Sequence, residues 1–294
     1  MKLYKRAMGW ICVAAMAVSM AACSGNGEAT AENITAPAET EPVIQTILDE
    51  SNTKMQQLSS VESTTEYDVF MTVETESIMV AQTEDTVFFA DPLKMDIEIF
   101  RNAGNLIGEK NMDLVNLRIA RQDDKIMLHQ YQNGGLWSKN EISEEELEGY
   151  NIKNGFSFFL EYAAGMKEVG QETVNDVQTT KYEGILDREA MEEPLQVTFP
   201  ADLWKQIASD TDMELSELVQ NASDMKLTLW INEEGYVVKY ELDMTDALYD
   251  IFIAWLQGVG ATKKQAEENI GVSNARITIS NQSFNNAPDF QIPQ

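Results

Sequence analysis

The spacing of hydrophobic residues changes character along this chain. From Pro42 onward, Ile44, Ile47, Leu48, Met55 and Leu58 recur at intervals of three, four and seven, the stripe of an amphipathic helix with proline in its first turn. The period then drops to two. Tyr67, Val69, Met71 and Val73 alternate with Glu66, Asp68, Phe70, Thr72 and Glu74, and Leu93, Met95, Ile97 and Ile99 alternate with Lys94, Asp96 and Glu98. Each reads as a strand with one dry and one wet face. Apolar runs at 112–119 and 126–131 continue the pattern, and Asn133-Gly134-Gly135 supplies a turn before Leu136 and Trp137. The connections are too short for crossovers, so the strands form an antiparallel meander.

The middle of the chain is mixed. Ser143 and Glu146 have capping-box spacing, and Phe156, Phe159, Leu160 and Ala163 sit at helical intervals. A strand-like run at 177–186 precedes predicted helices at 187–191 and 202–209, split by Pro194 and Pro200, and a third at 213–221. The clearest hairpin comes late. Met225, Leu227, Leu229 and Ile231 alternate with Lys226, Thr228 and Trp230, 232–235 turns, and Tyr236, Val238, Tyr240, Leu242 and Met244 alternate again. Thr245 or Asp246 caps a helix through Leu256, a helical stretch covers 262–269, and 276–280 is a last strand. No period repeats and no linker divides residues 43–294, so they read as one α+β domain.

The first 22 residues follow another logic. Lys2, Lys5 and Arg6 precede an apolar run, and Ala21 and Ala22 lead into Cys23, the order of an export signal. Met20-Ala21-Ala22-Cys23 resembles a bacterial lipobox, which implies diacylglyceryl transfer to the Cys23 thiol and cleavage just before it. The other cysteine, Cys12, leaves with the signal, so a lipidated Cys23 leaves no thiol for disulfides, metals or nucleophilic chemistry. Acyl chains added there, palmitate among them, hold a protein on the extracytoplasmic face of the bacterial membrane. Residues 23–42 read as a flexible acidic tether that sets the domain on the order of 25 Å from the bilayer.

Charge then narrows the partners. The chain has 49 Asp and Glu against 21 Lys and Arg, and the signal takes three of those cations and no acid. Such a surface repels phosphate backbones, so nucleic acid is excluded, and no polybasic membrane patch forms. Catalytic chemistry finds little footing. His129, the one histidine, lies in an alternating run with no nucleophile beside it and reads as an ordinary strand residue. No acidic segment has the loop geometry of a calcium site, no spacing selects a pair of catalytic carboxylates, and no cofactor motif appears.

The helix 246–256 is apolar around more of its circumference than one buried face needs. Two readings stand. It is sandwiched in the core, or it plugs a curved sheet so that Phe252 and Trp255 cover a ligand lying on Val69, Met71, Ile97, Leu227, Leu229, Tyr240 and Leu242.

Several stretches together carry a resemblance: residues 47–58 running into a long strand, Gly135-Leu136-Trp137, residues 180–184, 229–245, and the ending from Ser283 through Pro293. They resemble lipoproteins of Gram-positive bacteria, a group similar to the LolA/LppX-like superfamily of lipoprotein and lipid carriers. The resemblance implies a strongly curved antiparallel sheet, an unclosed barrel, covered on its concave side by helices and accommodating acyl chains. It implies no catalytic residue. Carriers of that superfamily are typically soluble, whereas Cys23 tethers this chain and makes shuttling between membranes a poor expectation. The function expected is a membrane-anchored, non-enzymatic binder of a hydrophobic or acylated ligand. An acidic cell-surface or envelope-associated module without a ligand cavity is the alternative, and a hydrolase with an unrecognised carboxylate pair is a third. Oligomeric state is left open.

Overall fold

A computed structural model describes residues 39–73, 76–105, 111–199 and 201–293. The signal, Cys23 and the tether as far as residue 38 lie outside the described residues. Among the described residues, eleven strands form one sheet in which every neighbouring pair is antiparallel. The first meander runs through β1 (Ser60–Val73), β2 (Glu76–Ala90), β3 (Leu93–Asn105), β4 (Asn111–Gln122), β5 (Lys125–Gln132) and β6 (Ser138–Ile142). The second comprises β7 (Ala163–Val174), β8 (Val177–Leu186), β9 (Lys226–Asn232), β10 (Val237–Asp243) and β11 (Ile270–Gln282). They join where β1 pairs with β11, while β6 and β7 are the two outer strands, so the sheet is an unclosed barrel.

Helices fill the inside. The first is α1 (Pro42–Gln56); α2 (Glu144–Glu148) and α3 (Ile152–Glu161) link the two meanders. Between β8 and β9 come α4 (Glu192–Thr198), α5 (Ala201–Thr211) and α6 (Leu215–Gln220), and between β10 and β11 come α7 (Thr245–Gly258) and α8 (Lys263–Asn269). The stripe read from the sequence is the buried face of α1: Ile44, Leu48 and Met55 go inward, while Lys54 holds the carbonyl of Glu234 at the hairpin turn. Helix α3 starts on Asn151, whose side chain accepts from the Lys153 amide, and buries Phe156, Phe159 and Leu160. Both phenyl rings lie 5.8 Å from the Tyr240 ring, Phe156 stacked on it. Together these side chains form one hydrophobic core between helices and sheet.

The breadth of apolar surface on α7 has a physical account. It packs along β11 on one side and against α5, α6 and α8 on others. Ala247, Leu248, Ile251, Phe252, Ile253, Trp255 and Leu256 are all buried. Its end meets α5 so closely that a Cβ on Gly258 would stand 2.6 Å from the Thr211 methyl.

Three departures from the pattern reading have local causes. Pro194 does not divide a helix: it is the third residue of α4, in the first turn, where its missing N–H breaks no helical bond. The helical spacing extended to Ala163 stops earlier, since α3 ends at Glu161 and Ala163 opens β7. The last strand is longer than 276–280 because β11 pairs with β1 from Ile270 to Gln282, absorbing an extra residue near Ser273.

After β11 the chain crosses the convex face as a strap. The amide of Asn285 donates to the Ser60 carbonyl at 2.8 Å, Asp289 pairs with Lys94, Phe290 packs on Phe89, and Arg118 donates to the carbonyl of Gln291 at 3.1 Å.

Candidate ligand-binding site

Strand register orders the concave wall into rows. Nearest the α1–α3 end, Val61, Phe88, Met95, Ile119 and Leu128 stand side by side across β1 to β5, all buried. The next row is Asn281, Ser63, Thr86, Ile97 and Leu117. Tyr182, Leu229, Tyr240, Ile279, Thr65, Glu84, Ile99 and Val115 follow across β8 to β4, and then Leu227, Leu242, Ile277, Tyr67, Gln82, Arg101 and Asp113. Val69 and Val80 follow beside Ala275, and Met71 lies one inward step further along β1. Apolar rows thus flank a polar island on β1, β2 and β3.

The helix layer covers this wall unevenly. Every residue anticipated as ligand-lining is concave or helical and packed in the core: Val69, Met71 and Ile97 on β1 and β3, Leu227, Leu229, Tyr240 and Leu242 on β9 and β10, and Phe252 and Trp255 on α7. The structure brings them into one cluster, Phe252 and Trp255 meeting edge to face at 5.8 Å. Leu227 and Leu229 have no exposed surface at all. By contrast Thr65, Tyr67, Val80, Gln82, Glu84, Arg101 and Val115 remain half-buried on the same face. The accessible stretch of concave wall is therefore on β1 to β4, not under α7.

Electrostatics mark that stretch. Arg101 Nε donates to Gln82 Oε1 at 2.6 Å. Burial pushes the Glu84 carboxyl above the usual carboxylate range, against the opposing pull of Arg101 and a hydrogen bond with Thr86. Burial also raises the Tyr67 phenol, with Glu84 adding to the effect, so Tyr67 stays a hydrogen-bond donor at any physiological pH. Asn281 Oδ1 and Tyr240 Oη, both buried, have no hydrogen-bond partner among the described residues.

Sequence reasoning passed over this island. Arg101 continues the alternation of Leu93, Met95, Ile97 and Ile99, so its inward place was readable one step further along β3. Glu84 and Gln82 gave no such signal, because β2 carries polar residues inward and loses the alternation that marks a strand.

The opposite face offers a different feature. A groove of about 410 Å³ lies on the convex side between the β7–β8 turn at Asn175 and the strands bearing Glu62, Glu66, Asp85 and Ser280. It is acidic, yet no group of three or more metal-binding side chains occurs among the described residues. His129, on β5, is also convex and only 1 % exposed rather than an open surface position. Burial, then the neighbouring Lys139, lowers its pKa.

No family model matches this chain, and no curated protein matches it. Among solved structures it is similar to the lipoprotein LppX of Mycobacterium tuberculosis, with 14 % identity and a TM-score of 0.43 over 85 % of this chain and 99 % of that one. It is similar to LprF of Mycobacterium bovis at 12 % identity and a TM-score of 0.42, covering 87 % and 99 % of the two chains. A DUF1329 family protein from Desulfovibrio piger shows 9 % identity and a TM-score of 0.22, covering 83 % and 92 %.

Proposed function

We propose that the protein is a non-enzymatic binder of a hydrophobic or acylated ligand, tethered through Cys23 to the extracytoplasmic face of the bacterial membrane. In this reading residues 1–22 are the signal, 23–42 the tether and 43–294 the binding domain. The observation that carries it is the uneven helix cover: a curved wall of one continuous sheet is closed by side chains over β8 to β11 but left half-covered on β1 to β4 around Thr65, Tyr67, Val80, Gln82, Glu84, Arg101 and Val115. A concave, largely apolar surface with a few convergent polar groups is the usual form of a small-molecule site. Val69, Met71, Ile97, Leu227, Leu229, Tyr240, Leu242, Phe252 and Trp255 then back the site and set its shape.

Thermodynamics limits what such a site does. Moving a chain of about 15 methylenes out of water gains about 12 kcal/mol, but moving it out of a bilayer gains almost nothing. The protein therefore exchanges its ligand with the membrane beside it, and preference for one amphiphile must come from polar contacts.

The test uses residues 39–294, which contain the complete sheet and core described above, purified without detergent. Mass spectrometry of an organic extract is expected to find acyl-chain species in stoichiometric amount, and the processed full-length protein is expected to carry acyl mass on Cys23. A ligand-free extract that stays empty after incubation with lipid vesicles would favour the acidic surface module instead.

A further inference from the structure

One cation on the concave wall keeps its chemistry open. Arg118, Arg121, Arg188 and Arg276 hold Asp96, Glu144, Asp224 and Asp243 respectively, at 2.8–3.1 Å. Arg101 forms no ion pair among the described residues, in a chain with 49 acids. Its hydrogen bond from Nε to Gln82 leaves both terminal amino groups of the guanidinium without an acceptor among the described residues. Neither amino group is sealed from solvent, so both stay open to an acceptor that replaces water there.

The groups around Arg101 come from every strand beside it. Gln82 faces it from β2 and Asp113 from β4, where Asn133 already holds the Asp113 carboxylate at 2.8 Å. Tyr67 stands beyond Gln82 on β1. Glu84 is the next inward residue along β2; it feels the field of Arg101 without forming an ion pair, and burial favours its neutral form. What remains is a guanidinium fork with Gln82 between it and the Tyr67 phenol, on a wall whose nearest half-buried apolar residues are Val80 on β2 and Val115 on β4.

We propose that Arg101, with Gln82, receives the carboxylate of a single-chain acid whose hydrocarbon runs over the half-buried Val80, on the side of the row away from Glu84. This deepens the binding function proposed above and rests on it. A planar fork matches a carboxylate with two parallel hydrogen bonds. A phosphate monoester matches the fork as well, but it brings up to twice the charge to a place where Asp113 already stands opposite Arg101. A carboxylate is the better partner on that ground.

Calorimetric titration of residues 39–294 with decanoate, decanol and decyl phosphate, each below its aggregation threshold, tests the assignment. The wild type is expected to bind decanoate at least tenfold more tightly than decanol and no less tightly than decyl phosphate. Arg101→Gln is expected to lose at least tenfold in decanoate affinity with decanol changed less than twofold, and Arg101→Lys to recover part of the loss. Wild-type selectivity is readable even if a variant fails to fold. Equal affinity for decanoate and decanol, or an Arg101→Gln variant that keeps its decanoate affinity, overturns the carboxylate site while leaving the concave binding surface standing. Tighter binding of decyl phosphate than decanoate by tenfold overturns the choice of carboxylate. No binding of any of the three overturns both readings.

Discussion

Trp255 is where the two roles of α7 separate. The indole is 5 % exposed, meets Phe252 edge to face, and leaves Nε1 without a hydrogen-bond partner among the described residues. A ring packed on protein from all sides behaves as core, so Trp255→Ala should cost about 3–5 kcal/mol of stability in a denaturant titration. Trp255→Phe keeps most of the volume and removes the orphan donor, so it should cost less than about 1.5 kcal/mol. If the ring instead covers a removable ligand, the alanine variant keeps its stability and loses fatty-acid affinity. A fluorescent fatty-acid displacement on the same protein reads that outcome directly.

At the scale of elements, the edge of the sheet is tightest where β7 lies on β8. Strand β7 carries irregularities between Ala164 and Lys167 and again between Glu168 and Gly170, which bend it across its partner. The bend brings the Ala164 carbonyl to 2.5 Å from where a Cβ on Gly184 would stand, with Met166 Sδ in the same space. A backbone carbonyl cannot move aside as a side chain can. Gly184→Ala should therefore destabilise the protein by about 1–3 kcal/mol, and a midpoint of urea unfolding equal to wild type would contradict the close approach. The same bending explains why β7 escaped the sequence pattern. Strands β1 and β3 were legible because one face is dry and the other wetter, and β9 and β10 because most of their apolar residues still alternate, although β10 shifts register between Val237 and Lys239. In β7 the bulges reset the alternation, and in β2 Gln82, Glu84 and Thr86 face inward. The proposed site lies in that illegible part. The apolar residues marked in advance are those the helices bury, whereas the half-covered polar island needed the register of β2 against β1 and β3 before its members could be seen to meet.

The molecule as a whole is two meanders closed by one seam, β1 against β11, with a strap from the chain's end laid over the convex face. Its response to acid should carry the signature of one residue on that face. His129 is buried between Arg118 and Lys139 in register, with Nε2 unpartnered among the described residues. Burial and Lys139 both disfavour its charged form, so its pKa is lower in the folded protein than in the unfolded chain. As pH falls through about 6.5, the unfolded chain takes up the proton first, and stability drops until the folded pKa is passed. Above that range His129 contributes no slope. Glu84 acts in the opposite sense: its raised pKa means the unfolded carboxyl ionises first, so its contribution falls as pH rises from about 4.3. The two slopes have opposite signs, and a variant at one position isolates one of them. His129→Gln should therefore be less sensitive than wild type to a change from pH 7.5 to 5.5, in urea titrations at fixed ionic strength. An identical loss of stability in both proteins over that interval would mean that His129 is protonated as readily in the fold as out of it.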